Sequence, residues 1–361
     1  MKPHLSRRLL VFFLSACSTC FGVTLKDGAY QVFPGDNIQD ALENAARNPT
    51  VKVVKVHPGE YRPHTKRQAL IWFNRIHDRI RLEAVGDVTL TAANPEISDP
   101  KSPSHPAVVN HIVYFGDGIS TNTVRKGFRI TGANNFVTKA GTRQIEPDTA
   151  LPKGLFFYAD GGGIKIFGRS YPTITGVEVV GNVTSPCGAG ISIEHGRHTQ
   201  DSVLIEHCVF RNNRAQVTGA AVDLLPPGSA ARIVNCLFVG NVSNTGADVV
   251  AQSSGEKPFT NSGVLTVFPR SRALVQNCTF TNNRNAVDDM SKASVYRDCI
   301  FWKNDLDGGW VKANRYELEV KERARVLGRR SWPTSAVGST PGSAWIKASA
   351  WRPKTPRASN G

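Results

Sequence analysis

Apolar and polar residues alternate with a period of two along much of this chain, in short runs punctuated by Gly, Asn and Pro. Runs of that kind predict short strands with one buried face. One run recurs: Ile205-Glu206-His207-Cys208-Val209-Phe210-Arg211-Asn212-Asn213 is echoed by Val234-Asn235-Cys236-Leu237-Phe238-Val239-Gly240-Asn241, by Gln276-Asn277-Cys278-Thr279-Phe280-Thr281-Asn282-Asn283 and by Arg297-Asp298-Cys299-Ile300-Phe301-Trp302-Lys303-Asn304. Each copy has Cys, an aromatic ring two places on, and Asn two or three places after that. The alternation puts Cys and Phe on one face of a strand and Asn at the bend that ends it. An imperfect copy, Val177-Glu178-Val179-Val180-Gly181-Asn182, has Val at both buried positions. Steps of 28, 42 and 21 residues between the Cys positions are the signature of a solenoid with insertions between its turns.

A second strand line alternates with the first: 163–167, 190–194, 221–225 and 248–251. Its pattern turns Ile164/Ile166, Ile191/Ile193 and Val222/Leu224 inward and Lys165, Ser192 and Asp223 outward. Earlier rungs are expected at 79–85, 88–90, 111–115 and 127–132. Stretches 94–106, 135–160 and 251–261 lack the strand pattern and read as loops that wall a binding face.

Residues 35–46 carry a different period. Ile38, Ala41, Leu42 and Ala45 share one face of a helix, Asp36 is placed to cap it, and Asn48-Pro49 stops it. A Val-rich strand, 51–56, and the turn His57-Pro58-Gly59-Glu60-Tyr61 follow. A short amphipathic helix there would hide the apolar end of the first rung. Residues 312–327 read as a basic amphipathic helix over the last rung, and the Pro/Ser/Gly-rich remainder from 331 as a disordered tail.

At this point the chain resembles a known group. The run from Gly35 to Tyr61 looks like the N-terminal cap of the pectin-lyase-like superfamily of right-handed parallel β-helices, and the Cys-x-Phe-x-x-Asn repeats look like its internal stacks and Asn ladder. The resemblance covers about residues 30–305. It implies an all-β fold, a single-stranded right-handed parallel β-helix with a short N-terminal capping helix. The expected organisation is an export signal over 1–22, a cap over 23–60, the β-helix over 61–310 and a basic cap helix with tail over 311–361. The superfamily holds lyases, hydrolases, epimerases, tailspikes and adhesins, so architecture alone does not choose a reaction.

Charge narrows the partners only a little. The formal charge is +15, but residues 1–16 carry +3 and residues 311–361 carry +8, leaving +4 for residues 17–310. A mildly basic body gives no argument for nucleic acid. Basic residues 1–8 followed by apolar 9–14 read as an export signal. Leu14-Ser15-Ala16-Cys17 matches a lipobox, so two outcomes stand: free secretion, or anchoring through a lipid on Cys17. Export would permit disulfides, yet stacked Cys side chains point in parallel, and free buried thiols are expected.

The candidate site is the outward cluster Lys165, Arg169, Glu194, His195, Arg197 and Asp223. Rungs are one strand spacing apart, so Lys165 and Asp223 would sit about 10 Å apart with Ser192 between, a span for one or two sugar rings. Elimination on a uronate needs a base, for which His195, Lys165 or Arg197 is available, and a cation to steady the enolate, for which Arg169 is placed. Hydrolysis would use Glu194 with Asp223. The competing reading is that these are ordinary solvated outward positions. His57, His64, His77, His105 and His111 read as turn or surface residues. Val203-Leu204-Ile205-Glu206-His207 is similar to a calcium-holding stretch of pectate lyases, with Leu for Trp and Glu for Asp. Asp288-Asp289 is similar to the Asp pair of polygalacturonases, without their accompanying motifs, and reads as a turn. No cofactor is expected; Ca2+ stays open, although no carboxylate cluster offers six to eight oxygen ligands. The expectation is an exported monomer that binds a polysaccharide or cell-surface glycan, with cleavage through this cluster as a further hypothesis; the alternative is a non-catalytic adhesive or structural protein.

Overall fold

The computed structural model describes residues 22–102, 104–134, 160–184, 187–245, 263–304 and 306, together with the strands Leu318–Lys321, Arg325–Leu327, Val337–Thr340 and Ser343–Ile346. The expected signal, Cys17, and the loops at 135–159 and 251–261 lie outside the described residues, as does the strand expected at 248–251. The strand that pairs with Val222–Leu224 is Leu265–Val267.

Parallel strands coil turn upon turn. One line of rungs runs Thr173–Thr175, Val203–Glu206, Ala230–Val234, Arg272–Gln276 and Val295–Arg297, each paired in parallel with the next. After each comes a single residue in the left-handed region (Gly176, His207, Asn235, Asn277, Asp298) that turns the chain into the Cys-x-Phe strand. Small or polar side chains suit that conformation. A second sheet runs from Arg67–Phe73 through Val109–Phe115, Ile164–Phe167, Ile191–Glu194, Val222–Leu224, Leu265–Val267 and Val287–Asp289.

The repeat residues stack in register. Phe210, Phe238, Phe280 and Phe301 lie ring over ring, with centroids 4.8, 4.2 and 5.0 Å apart. The column continues upward through Val179, Ile130, Leu90 and Tyr61. Cys208, Cys236, Cys278 and Cys299 form the neighbouring column as free thiols, the first three buried. Contact with the Cys236 thiol, then burial, pushes Cys278 up to about 12.

The two asparagine positions separate by role. The residue two places after the aromatic takes positive φ, at Gly181, Asn212, Gly240, Asn282 and Lys303. The residue three places after it builds a buried ladder. Asn213 Nδ2 donates to Asn241 Oδ1 at 2.9 Å, Asn241 to Asn283 at 3.0 Å and Asn283 to Asn304 at 2.7 Å. Each Oδ1 also accepts the backbone N–H of the asparagine before it, and each Nδ2 reaches the carbonyl of a neighbouring rung, as Asn241 does to Phe210. Every polar atom of the amide is thereby satisfied inside the coil.

The helix α1, Ile38–Arg47, lies over the end of the stack with Ile38, Ala41, Leu42 and Ala45 buried. Its N-cap is Asn37, whose side chain accepts from Gln39 N, rather than Asp36, which instead accepts from Phe33 N. The Gln39 side chain accepts from Trp72 N (2.9 Å) and donates to Trp72 O (3.2 Å), pairing with the edge strand as another strand would. His77, buried, joins Glu43 of the helix at 3.1 Å.

Three expectations need correction. The coil exceeds 61–310 at both ends: Ala29–Val32 already pairs in parallel with Val53–Val56, and Leu318–Lys321 and Arg325–Leu327 add parallel rungs where a terminal helix was expected. Within the expected tail, Val337–Thr340 and Ser343–Ile346 pair antiparallel. Asp288-Asp289 is strand, not turn: Asp289 points inward beside Val267 and accepts from Tyr296 Oη at 2.8 Å.

Candidate functional site

The outward face of the second sheet presents one residue per rung, in register: Trp72, Tyr114, Lys165, Ser192, Asp223, Thr266 and Asp288. Trp72 and Tyr114 are half-buried, with centroids 4.7 Å apart. The rest of the column corrects the expectation of a solvated face, because Lys165, Ser192 and Asp223 are fully buried.

Short glycine-containing turns enter each strand and fold across its outer face. Gly161, Gly188 and Gly219 have φ of 82°, 67° and 59°. A Cβ on Gly188 would lie 2.7 Å from the Ser192 Cβ, and one on Gly219 2.5 Å from the Asp223 Cβ. Only glycine permits that approach. Asp160, Cys187 and Thr218 precede these glycines and stack across neighbouring rungs, with Cys187 N donating to Asp160 Oδ1.

Lys165, Glu194 and Asp223 therefore share a buried polar cluster with residues that pattern reading missed. Lys165 Nζ donates to Glu194 Oε2 at 2.9 Å and to Ser192 Oγ at 3.2 Å. Thr218 Oγ1 donates to Asp223 Oδ2 at 2.7 Å. Burial pushes Asp223 up to about 7 and Asp160 well above the carboxylate range. Asp160 Oδ2 and Asp223 Oδ1 have no hydrogen-bond partner. Two carboxyls that hold protons near neutrality beside an ammonium are equipped to donate a proton. The signal for Asp160, Cys187 and Thr218 is in the sequence: Asp160-Gly161-Gly162-Gly163, Cys187-Gly188-Ala189-Gly190 and Thr218-Gly219-Ala220-Ala221 each precede a strand of this line.

Arg169, His195 and Arg197 engage other partners. Arg169 is exposed and grips Asp117 through Nε at 3.0 Å and Nη2 at 2.5 Å. Arg197 is exposed in the left-handed region, its N–H on Gly228 O. His195 is buried; Nε2 donates to Ser170 O at 2.9 Å and Nδ1 accepts from Ala230 N at 3.1 Å. Burial pulls its pKa down to about 4. With both nitrogens committed to backbone, His195 is a structural imidazole and not a base. His77 and His111 are likewise buried rather than at the surface; His111 Nδ1 donates to Gly161 O at 2.7 Å, and burial lowers it to about 3. Among the described residues no group of three His, Cys, Asp or Glu could hold a metal ion. Nor is any helix there long and apolar enough to cross a membrane.

A family model described as the right-handed β-helix region matches residues 109–263. With the parallel strand stacking of the described residues, this shows a right-handed parallel β-helix fold. No curated protein and no solved structure matches the chain.

Proposed function

We propose that this is an exported protein that binds a polysaccharide along the outer face of the second sheet. The observation that carries the reading is the Trp72–Tyr114 pair, half-buried and in register with the polar column that begins at Lys165. Aromatic faces bury the C–H side of a sugar ring while the rim hydrogen-bonds its hydroxyls. A glycan lying along the column would pass from this platform toward Lys165, Glu194 and Asp223.

For cleavage, hydrolysis fits the cluster better than elimination. Elimination lacks its base, because His195 is neutral and held at both nitrogens and Lys165 is ion-paired. Hydrolysis needs a protonated carboxyl and an ionised one. Asp160 and Asp223 supply the first, and Glu194, one quarter exposed, supplies the second. The complete burial of Lys165, Ser192 and Asp223 favours the second reading, an adhesive protein whose cluster only fastens the covering turns.

Affinity electrophoresis against uronic-acid and neutral polysaccharides tests the binding. Trp72→Ala and Tyr114→Ala should each weaken retardation about tenfold, the loss of one stacking contact of roughly 1.4 kcal/mol. Absence of retardation by any glycan, or retardation indifferent to both substitutions, overturns the proposal. New reducing ends that vanish in Asp223→Asn support hydrolysis; unsaturated products point to elimination, and binding without products leaves the adhesive reading.

A further inference from the structure

Arg125 is the one charged residue in an inward column that otherwise runs Val54, Leu82, Ile174, Ile205, Ile233 and Val275. Its side chain is fully buried, and Nε, Nη1 and Nη2 all lack a hydrogen-bond partner. An aromatic ring lies against it: the guanidinium carbon is 4.6 Å from the centroid of Phe128. Burial alone pulls its pKa down, to about 9, with no nearby acid opposing the shift. Arginine does not shed its proton in proteins, so a cation stands inside the coil with its donors unused. A ring face offsets part of that charge but accepts no N–H in the guanidinium plane. Buried charges are paired or destabilise the fold heavily.

We propose that Arg125 holds a small monovalent anion, of the halide class, inside the β-helix. The ring covers one face of the guanidinium, leaving the N–H edge for the ion. Leu82 and Ile174, its register neighbours, offer no donors, so a polyatomic oxyanion would leave its remaining oxygens unsatisfied where a single-atom halide would not. The ion would bind the folded chain alone, and so would stabilise it by mass action.

The probe is chloride, with gluconate as the bulky comparison anion at equal ionic strength. Wild-type protein should unfold several degrees higher in chloride than in gluconate. Arg125→Met, which fills the same volume without charge, should lose that anion preference. If Arg125→Met does not fold, crystals of the wild type soaked in bromide provide the second measurement, with an anomalous peak expected within hydrogen-bond reach of the guanidinium. Equal melting of the wild type in both anions overturns the proposal. So does a chloride preference that survives in Arg125→Met, or a bromide map without a peak at Arg125.

Discussion

Lys165 Nζ and Glu194 Oε2 meet at 2.9 Å across two stacked rungs, with the lysine side chain fully buried and the glutamate one quarter exposed. The asymmetry sets the outcome of breaking the pair. Glu194→Gln removes the ion-pair partner of a fully buried ammonium and should cost about 3 kcal/mol. Lys165→Met leaves a carboxylate that water can still reach and should cost about 1 kcal/mol. Urea midpoints at unchanged slope would read the difference, and the opposite order would contradict the burial of Lys165.

Asp223 makes stability depend on pH in an unusual direction. Its folded pKa, about 7, lies above the unfolded value of about 3.9, so the native state holds the proton longer. The contribution is full below pH 4, declines as pH rises from 4 to 7, and is gone above 7. Its size is on the order of a few kcal/mol. Asp223→Asn should flatten the fall in melting temperature across that interval. His195 acts oppositely: its folded value of about 4 lies below the unfolded one, so stability is lost as pH drops from about 6.5 to 4. His195→Gln should flatten that acid limb.

The asparagine ladder predicts a position-dependent cost. Asn241 gives and takes bonds on both sides, with Asn213 and with Asn283. Asn241→Leu strands donors and acceptors on both neighbours and should cost about 3 to 5 kcal/mol. At one end of the described ladder Asn182 accepts from the Ala133 N–H and donates to Asn213, so Asn182→Leu strands one donor where Asn241→Leu strands two, and should cost about half as much. Chemical denaturation of the two variants decides this.

Thiol labelling should follow the stack. Cys187, Cys208, Cys236 and Cys278 are buried and Cys299 is only partly so. The adjacent thiol and burial also hold Cys236 and Cys299 protonated, and the thiolate is the reacting form. Among these, the folded protein should label first at Cys299, about a hundredfold slower than a free thiol. Peptide mapping that finds Cys236 modified before Cys299 would contradict the column.

The coil was legible because its code is redundant. Cys, Phe and Asn recur at fixed offsets, so the ring column and the amide ladder are written in the sequence itself. The site was half legible. Alternation correctly put Lys165, Ser192 and Asp223 on the face opposite Ile164 and Ile166, but an outward strand position is solvated only when nothing lies across it. Here the turns at Gly161, Gly188 and Gly219 do, and Asp160 enters with them from outside the strand pattern. His195 misled because an exposed-looking Glu-His-Gly turn hides an imidazole that two backbone groups claim. Strands at 318–321 and 325–327 escaped notice because a short run such as Leu318-Glu319-Val320-Lys321 fits either period.

The glutamine that docks on Trp72 has a consequence for how such molecules meet one another. Arg67–Phe73 is the border strand of its sheet, and Gln39 already occupies an amide and a carbonyl there. A second molecule that tried to join end to end would have to evict the helix first, so the plug that starts the spiral also keeps neighbouring spirals from fusing into fibres at that end.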